Sequence, residues 1–300
     1  MPTLKEVELK ITAVKKTQKI TKAMNMVAAS KLSRAQEKME AFRPYANKFA
    51  EVLGSLAERA GGDEENAPPL LVPRAEVKTV NVVLMTSDRG LCGSFNTNLI
   101  ARCEKLLKEN ADQGIETRLI CMGKKGRDYF RRRKANIAGD YVGVVGARFG
   151  FNVAINAGRG LIDAFLEGET DEVHMIFSEF VSMARQAPTL QQLLPITSVE
   201  KAKEAEAKED VGYIAEHICE PSVEELMAEM LPKQVYVQLY KGLLETSTSE
   251  HASRMAAMDN ATKNCKEMVE SLTLAYNKAR QAAITAELMD IVGGAEALKG

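Results

Sequence analysis

Residues 4–56 read LKEVELKITAVKKTQKITKAMNMVAASKLSRAQEKMEAFRPYANKFAEVLGSL, and one spacing runs through all of them. Leu4, Val7, Ile11, Val14, Gln18, Thr21, Asn25, Ala28, Leu32, Ala35, Met39, Phe42, Ala46, Phe49, Leu53 and Leu56 stand alternately three and four residues apart. A 3.5-residue apolar period keeps one stripe of a helix against a partner helix in a left-handed coiled coil. No glycine interrupts the stretch before Gly54, and Pro44 inside it predicts a local kink. At 1.5 Å per residue such a helix extends about 80 Å.

The other end of the chain carries the same period. A seam starts at Leu226 and Met230, passes through Val237, Leu244, His251, Met258, Cys265, Leu272, Ala279 and Ala286, and reaches Met289. No proline follows Pro232, and after Gly242 no glycine appears before Gly293, so a second helix of about 80 Å is expected. Two helices of matching length, each with an apolar stripe to bury, pack most simply on each other. A folded region between them returns the chain, which makes the pair antiparallel. Gln18, Thr21 and Asn25 interrupt the first seam, and His251 and Arg254 the second, while Ile20, Met24 and Val27 shift the apolar stripe sideways. Polar seam residues can set the register of a coil. They can equally mark a stretch that another protein surrounds without gripping. Both readings stand at this point.

Between the helices the pattern changes. Gly61 to Pro69 is a linker by composition. Val77–Thr86, Thr117–Met122 and Glu172–Met183 read as strands, with Thr189–Thr197 a possible fourth. Asn96–Asn110, Lys124–Lys134 and Phe151–Leu166 read as helices. Alternating strands and helices predict a mostly parallel, Rossmann-like α/β domain. Lys201–Asp210 is a charged connector, and the C-terminal helix begins after Pro221. The expected fold is α/β plus a long antiparallel coiled coil. Its regions are an N-terminal helix over 1–60, a central domain over 76–200 and a C-terminal helix over 221–297.

Composition narrows the function. The net charge is -1, with 40 basic and 41 acidic residues, which gives no reason to expect nucleic acid as a partner. The five cysteines form no CxxC pair, so neither a disulfide framework nor a metal site is indicated. No run approaches the length of a membrane span. The loop Ser87-Asp88-Arg89-Gly90-Leu91-Cys92-Gly93-Ser94 sits where a Rossmann fold binds phosphate, but it matches neither GxGxxG nor GxxxxGK[ST]. Cys92 has no histidine near it in sequence, and His174, His217 and His251 form no visible constellation. The basic run Lys124, Lys125, Arg127, Arg131, Arg132, Arg133 and Lys134 suits a solvated helix face or an acidic partner. From the residues alone, a coiled-coil tether and a nucleotide-binding enzyme both remain open.

Four stretches go further: TQKITKAMNMVAASK at 17–31, TSDRGLCG at 86–93, EHASRMAAM at 250–258 and YNKARQAAITAEL at 276–288. In this order and spacing they resemble the gamma-subunit family of bacterial F-type ATP synthases over essentially the whole chain. The resemblance implies a rotor shaft standing inside a ring of alpha and beta subunits, with the α/β body beside epsilon and on the ring of membrane c subunits. Proton flow would turn the shaft and drive the catalytic sites of beta to make ATP from ADP and phosphate. The shaft would also regulate ATPase activity. The chain itself would be non-catalytic, without cofactor or metal, and peripheral on the cytoplasmic face of the bacterial plasma membrane. Residue by residue, the resemblance puts Met24 and Arg254 at the level of the acidic lever segment of beta. It puts Arg280, Gln281, Thr285 and Glu287 in a polar cluster near the shaft tip that meets beta loops. Glu216, His217, Ile218, Cys219 and Glu220 match the segment facing the c ring and epsilon, where the family often carries aromatics that His217 and Cys219 replace. Glu250, on the same helix but outside the tip cluster, is expected to be a neutral control position.

Overall fold

The computed structural model describes residues 3–59, 68–146, 149–196, 220 and 222–297. The elements in chain order are α1 (Leu4–Arg59), β1 (Thr79–Met85), α2 (Phe95–Asp112), β2 (Glu116–Met122), α3 (Lys124–Arg132), β3 (Ile137–Tyr141), α4 (Phe151–Leu166), β4 (Glu172–Phe180), β5 (Gln186–Leu194) and α5 (Val223–Ala297). They fall into two compact units, one of Met1–Ala29 with Arg254–Gly300 and the other of Ser30–Ser253.

In the first unit the two helices run antiparallel. Thr21 pairs with Thr262, whose hydroxyl donates to the Thr21 hydroxyl at 2.8 Å, and the Asn25 amide donates to the Met255 carbonyl at 2.9 Å. As α1 ascends, α5 descends. Leu4, Val7, Ile11, Val14, Gln18, Thr21, Asn25 and Ala28 are the seam expected from spacing, and each is buried or half-buried. The seam on α5 does not stay covered. Carrying the Thr21–Thr262 pairing one for one down to Leu4 brings α5 to about Ala279, and from Arg280 to Ala295 every residue is exposed. The expectation of matching lengths is therefore corrected. α1 has 56 residues and α5 has 75, so the periodic stripe through Ala286 and Met289 has no α1 opposite it.

The second unit is a three-layer α/β body. Its sheet has the order β3-β2-β1-β4-β5, with β1 central, the first four strands parallel and β5 antiparallel to β4. β1 is covered on both faces, which is why its sequence TVNVVLM is nearly continuous in apolar residues. Val80, Val82 and Leu84 meet Phe95, Leu99 and Cys103 of α2 and Phe130 of α3. Val83 and Met85 face the other way, toward Ala157 and Leu161 of α4, Leu239 and Leu243 of α5, and Leu53 and Leu56 of α1. The α1 part of this unit continues the seam with Leu32, Met39 and Ala46 buried, stays helical through Pro44, and sets Phe42 edge-on to Tyr240 at 4.9 Å. β3, with the sequence IAGDY, is a strand that the apolar pattern does not reveal. It is short, lies at the sheet edge, and a glycine and an aspartate break its apolar signal.

One stretch of α5 is buried on every side, from Gly242 to Ala252, although it contains Glu245-Thr246-Ser247-Thr248-Ser249-Glu250-His251. Backbone pairing explains it. β4 pairs with β1 only as far as Leu84 opposite Ile176, so on that side the β4 backbone beyond Ile176 needs other partners. The Ser178 N–H donates to the Thr246 hydroxyl at 3.3 Å, the Ser249 hydroxyl donates to the Ser178 carbonyl at 3.1 Å, and the Phe180 N–H donates to Glu245 Oε2 at 2.9 Å. Side chains of a helix thus finish the edge of a strand. Glu245 Oε1 also takes Arg43 Nη2 at 3.0 Å, which ties α1 to the same place.

Candidate functional site

The residues singled out in the sequence lie in three places. Met24 is half-buried in the first unit, one residue from Asn25, whose amide crosses to α5. Thr21 and Asn25 are inside and bonded to the partner helix, while Ile20 and Val27 are 60% and 58% exposed. The local pattern is inverted: polar groups bond across to the partner helix within, and apolar groups form an exposed stripe on the outer face of α1. Thr21 and Asn25 thus bond across to α5 as register-setting residues would. Arg254 is half-buried on α5 in the same unit.

Arg280, Gln281, Thr285 and Glu287 stand on the uncovered end of α5, all exposed. The Thr285 hydroxyl is bound back to the Gln281 carbonyl at 2.9 Å, which leaves its methyl outward. Among the described residues, the side chains of Arg280, Gln281 and Glu287 make no hydrogen bond or ion pair, so their donors and acceptors are available to something else. Of the larger apolar residues beside them, the seam spacing singled out Met289 alone. Leu288 and Ile291 are 56% and 63% exposed, and Ile284, Met289 and Val292 are exposed with them. Ile284, Leu288 and Ile291, spaced four and three apart, put this exposed apolar surface on one face of the helix end. The signal was present in the sequence as a seam that outruns the length of its partner.

Of the segment expected to face a membrane ring, only Glu220 is described, and it is exposed; Glu216, His217, Ile218 and Cys219 lie outside the described residues. Glu250 is corrected as a control position. It is 1% exposed, with its Oε2 2.7 Å from His251 Nδ1 and its carboxylate against Gly146, so it belongs to the interior of the α/β body.

The loop after β1 is bound up in its own contacts. The Ser87 N–H donates to Asn96 Oδ1 at 2.9 Å, the Ser87 hydroxyl to the Arg89 carbonyl at 2.6 Å, and the Asn96 amide to the Ser87 hydroxyl at 2.8 Å. Cys92 is buried, and its carbonyl accepts the Ser253 hydroxyl of α5 at 2.8 Å. Asp88 Oδ1 accepts from the backbone of Lys124 and Gly143 and so pins the start of α3. Leu91 and Gly93 both have positive φ, as a tight turn requires. The Asn96 side chain of α2 thus takes the Ser87 N–H of the loop, while the α2 N-cap Ser94 makes no side-chain capping bond.

The basic run on α3 is partly neutralised within the body. Arg127 contacts Asp128 at 2.9 Å and Asp140 at 3.1 Å, and its guanidinium holds the Asp128 carboxyl below the usual carboxylate range. Arg133 pairs with Glu104 and lies over the Tyr129 ring at 4.4 Å. Burial, with the neighbouring Glu104, pushes the Tyr129 hydroxyl up. The thiols in the core are inert for a similar reason. Burial raises Cys103, and burial with the nearby Asp140 pushes Cys121 up to about 12.

Comparison with known proteins agrees along the full length. A profile of the family described as ATP synthase matches residues 3–298. The ATP synthase gamma chain of Desulfosudis oleivorans is 63% identical over 301 residues, covering 100% of both chains. That of Nitratidesulfovibrio vulgaris, strain Hildenborough, is 54% identical over 300 residues, again covering 100% of both. Among solved structures, the central stalk and c ring of the Tetrahymena thermophila mitochondrial ATP synthase contains a chain with 25% identity and a TM-score of 0.59, covering 81% of this chain and 99% of that one. A chain of the Euglena gracilis mitochondrial ATP synthase has the same fold, with a TM-score of 0.65 at 17% identity over 98% of this chain and 94% of that one.

Proposed function

The chain belongs to the ATP synthase gamma-chain family and is a central-stalk, rotor subunit of that enzyme; from this premise we propose how its parts work. The uncovered end of α5 and the exposed apolar stripe at Ile20 and Val27 turn inside the ring of alpha and beta subunits. The α/β body meets epsilon and the c-subunit ring. Rotation of the c ring by the transmembrane ion gradient carries the shaft round, and the shaft's asymmetry drives the beta sites through their conformations in turn. The same contacts regulate ATP hydrolysis by the complex.

The observation that carries this reading is the bare end of α5 from Arg280 to Ala295, whose apolar residues find no partner in their own unit. A shaft needs such a surface. Apolar contact is non-directional, so it holds the shaft in its sleeve without fixing one rotational angle. Angle dependence then falls to the few polar groups. Arg280 can offer a planar fork to a beta carboxylate, a geometry that is made or lost as the shaft turns. Gln281, Thr285 and Glu287 complete that cluster. Met24 and Arg254 act at the level of the acidic beta segment, and Glu216 to Glu220 toward the c ring and epsilon.

The chain is non-catalytic in this reading, since the loop after β1 matches neither GxGxxG nor GxxxxGK[ST]. It is held at the cytoplasmic face of the membrane through the c ring; no helix among the described residues is long and apolar enough to cross a bilayer. Affinity purification of the tagged chain from its own cells tests the assignment of partners. Alpha, beta and epsilon subunits are expected in fixed stoichiometry, and their absence from a folded preparation would contradict it.

A further inference from the structure

The face of the sheet that carries α4 is not filled to its edge. Asn81 of β1 and Arg118 of β2 are register partners there, and Ile120 lies next to Gly139 of the edge strand β3. Between these strands and α4 is a cavity of about 240 Å³ whose lining includes Asn81, Ile120, Tyr141, Gly160, Leu161 and Ala164. Small residues open it. Ala157, Gly160 and Ala164 recur along one side of α4, and Gly139 puts no side chain on β3.

The residue that calls for explanation is Asn81. On the same face of β1, Val83 and Met85 are fully buried, and an apolar residue at 81 would continue the core. Instead an asparagine stands there at 6% exposure, with Oδ1 buried and without a hydrogen-bond partner. Leaving a buried amide unpaired costs free energy that an apolar residue of the same shape would not incur. The terminal torsion of asparagine is broad, so the amide can turn either its oxygen or its nitrogen to an occupant of the cavity.

Charge and size define that occupant. Arg118 and Glu169 are the charged residues of the lining and cancel each other, and Arg118 Nε is already held by Glu116 Oε1 at 3.1 Å. A phosphate or nucleotide therefore finds no surplus cation, and the volume lies below the roughly 300–1,000 Å³ usual for such ligands. We propose that the cavity receives a tyrosine side chain of a neighbouring polypeptide in the assembly, with its ring against Ile120 and Leu161 and its hydroxyl hydrogen-bonded to the Asn81 amide. A phenol hydroxyl both donates and accepts, so it satisfies the amide in either orientation. Its ring supplies the apolar body that the small residues of α4 leave room for, and aromatic anchors in desolvated pockets carry much of the energy of protein interfaces. Gly139, on the sheet edge, keeps the rim clear for the backbone that presents the ring.

The proposal rests on the chain being one subunit of a larger assembly, but its first test needs only the free chain. In a sample with ¹³C-labelled isoleucine and leucine methyls, p-cresol should shift the Ile120 and Leu161 signals saturably, at a concentration about tenfold or more below toluene. Gly160→Leu, at a position where an added Cβ meets nothing within 4 Å, should abolish the response while the chain stays folded. Asn81→Leu should make p-cresol and toluene equivalent and should raise the melting temperature, because the unpaired amide is gone. In the purified complex, a benzophenone side chain at the rim residue Ala138 should crosslink to another subunit within a few residues of a tyrosine. Equal responses to p-cresol and toluene in the natural chain, or a melting temperature lowered by Asn81→Leu, would overturn the proposal. So would a small molecule found in the cavity of the purified complex by native mass spectrometry. A chain that binds p-cresol as described, yet recovers no ATP synthase subunits, would contradict the assembly reading and leave the pocket chemistry standing.

Discussion

Two stretches of α5 differ as much as one helix allows. From Gly242 to Ala252 every residue is buried, polar ones included, and from Arg280 to Ala295 every residue is exposed, apolar ones included. The first stretch is enclosed by its own chain. Its hydroxyls and carboxylate complete β4, and at Gly242 the sheet comes so close that an added Cβ would lie 2.7 Å from Met175 Sδ. The second has nothing opposite it among the described residues of its unit. Burial on this helix thus follows partner supply rather than residue type. A polar run is buried where a strand edge needs hydrogen bonds, and an apolar run is bare where the partner helix has ended.

The contrast predicts opposite responses to truncation. Leu243→Ala, in the fully buried stretch, should destabilise the free chain by about 2–5 kcal/mol in denaturant unfolding. Leu288→Ala, on the bare end, should change free-chain stability by less than about 0.5 kcal/mol. A large loss at Leu288 in the isolated chain would mean that the end of α5 has an internal partner after all. Glu250→Ala sharpens the comparison from the polar side. It should cost about 1–3 kcal/mol, because it empties a fully buried site beside Gly146 and His251; an unchanged unfolding midpoint would contradict that burial.

The helical seam of α1 was legible in the sequence because a 3.5 period over many turns has few rival explanations, and each of its positions proved buried or half-buried. The strands β1, β2 and β4 were legible as apolar runs bounded by turn residues. β3 was not, because IAGDY at a sheet edge needs only one covered face and carries little apolar signal. The bounds of α5 were legible, but its uncovered end was not, since periodicity says where a stripe lies and not whether anything faces it. The burial of the Glu245–His251 stretch, of which the spacing marked only His251 as an interruption, was missed for a related reason. Its partner is the backbone of β4, and backbone leaves no trace in side-chain patterning. Of the tip cluster, the resemblance supplied the residues, and the structure adds that they stand on a helix end uncovered within its unit.

Smaller effects are expected where function rather than folding is at stake. Arg280→Lys should lower ATP hydrolysis of the assembled complex by up to about tenfold, the consequence of losing roughly 1.4 kcal/mol of charge-assisted hydrogen bonding. Gln281→Ala should act in the same direction, with assembly intact on a gel, and the exposed Glu267→Ala replaces Glu250→Ala as the neutral comparison. Turnover equal in all three would reduce the tip cluster to solvated surface. Met24→Lys should do less still, adding an ion pair of about 0–1 kcal/mol in some rotational states and so loosening the ratio of protons pumped to ATP used. An unchanged ratio would exclude it.

The thiols offer the mildest probe of the same distinction. Half-exposed Cys265 should react with a disulfide reagent within minutes at pH 8, while buried Cys92, Cys103 and Cys121 should react only on unfolding. The raised thiols also set a sign for alkaline stability. Cys121 ionises at about 9 when unfolded and about 12 when folded, so below pH 9 both states hold the proton and stability is undiminished. As pH rises from 9 toward 12 the unfolded state alone gives up the proton, and stability falls. A midpoint of unfolding constant across that range would contradict the burial.

The central claim is that the bare end of α5 is a shaft surface sleeved by other subunits. Placing a single cysteine by Leu288→Cys, on the exposed apolar face, and timing its reaction with a maleimide tests it directly. The free chain should label within minutes and the assembled complex at least about a hundredfold more slowly, with Cys265 read alongside in both. Equal labelling of Leu288→Cys in the free chain and in the intact, active complex would contradict the account.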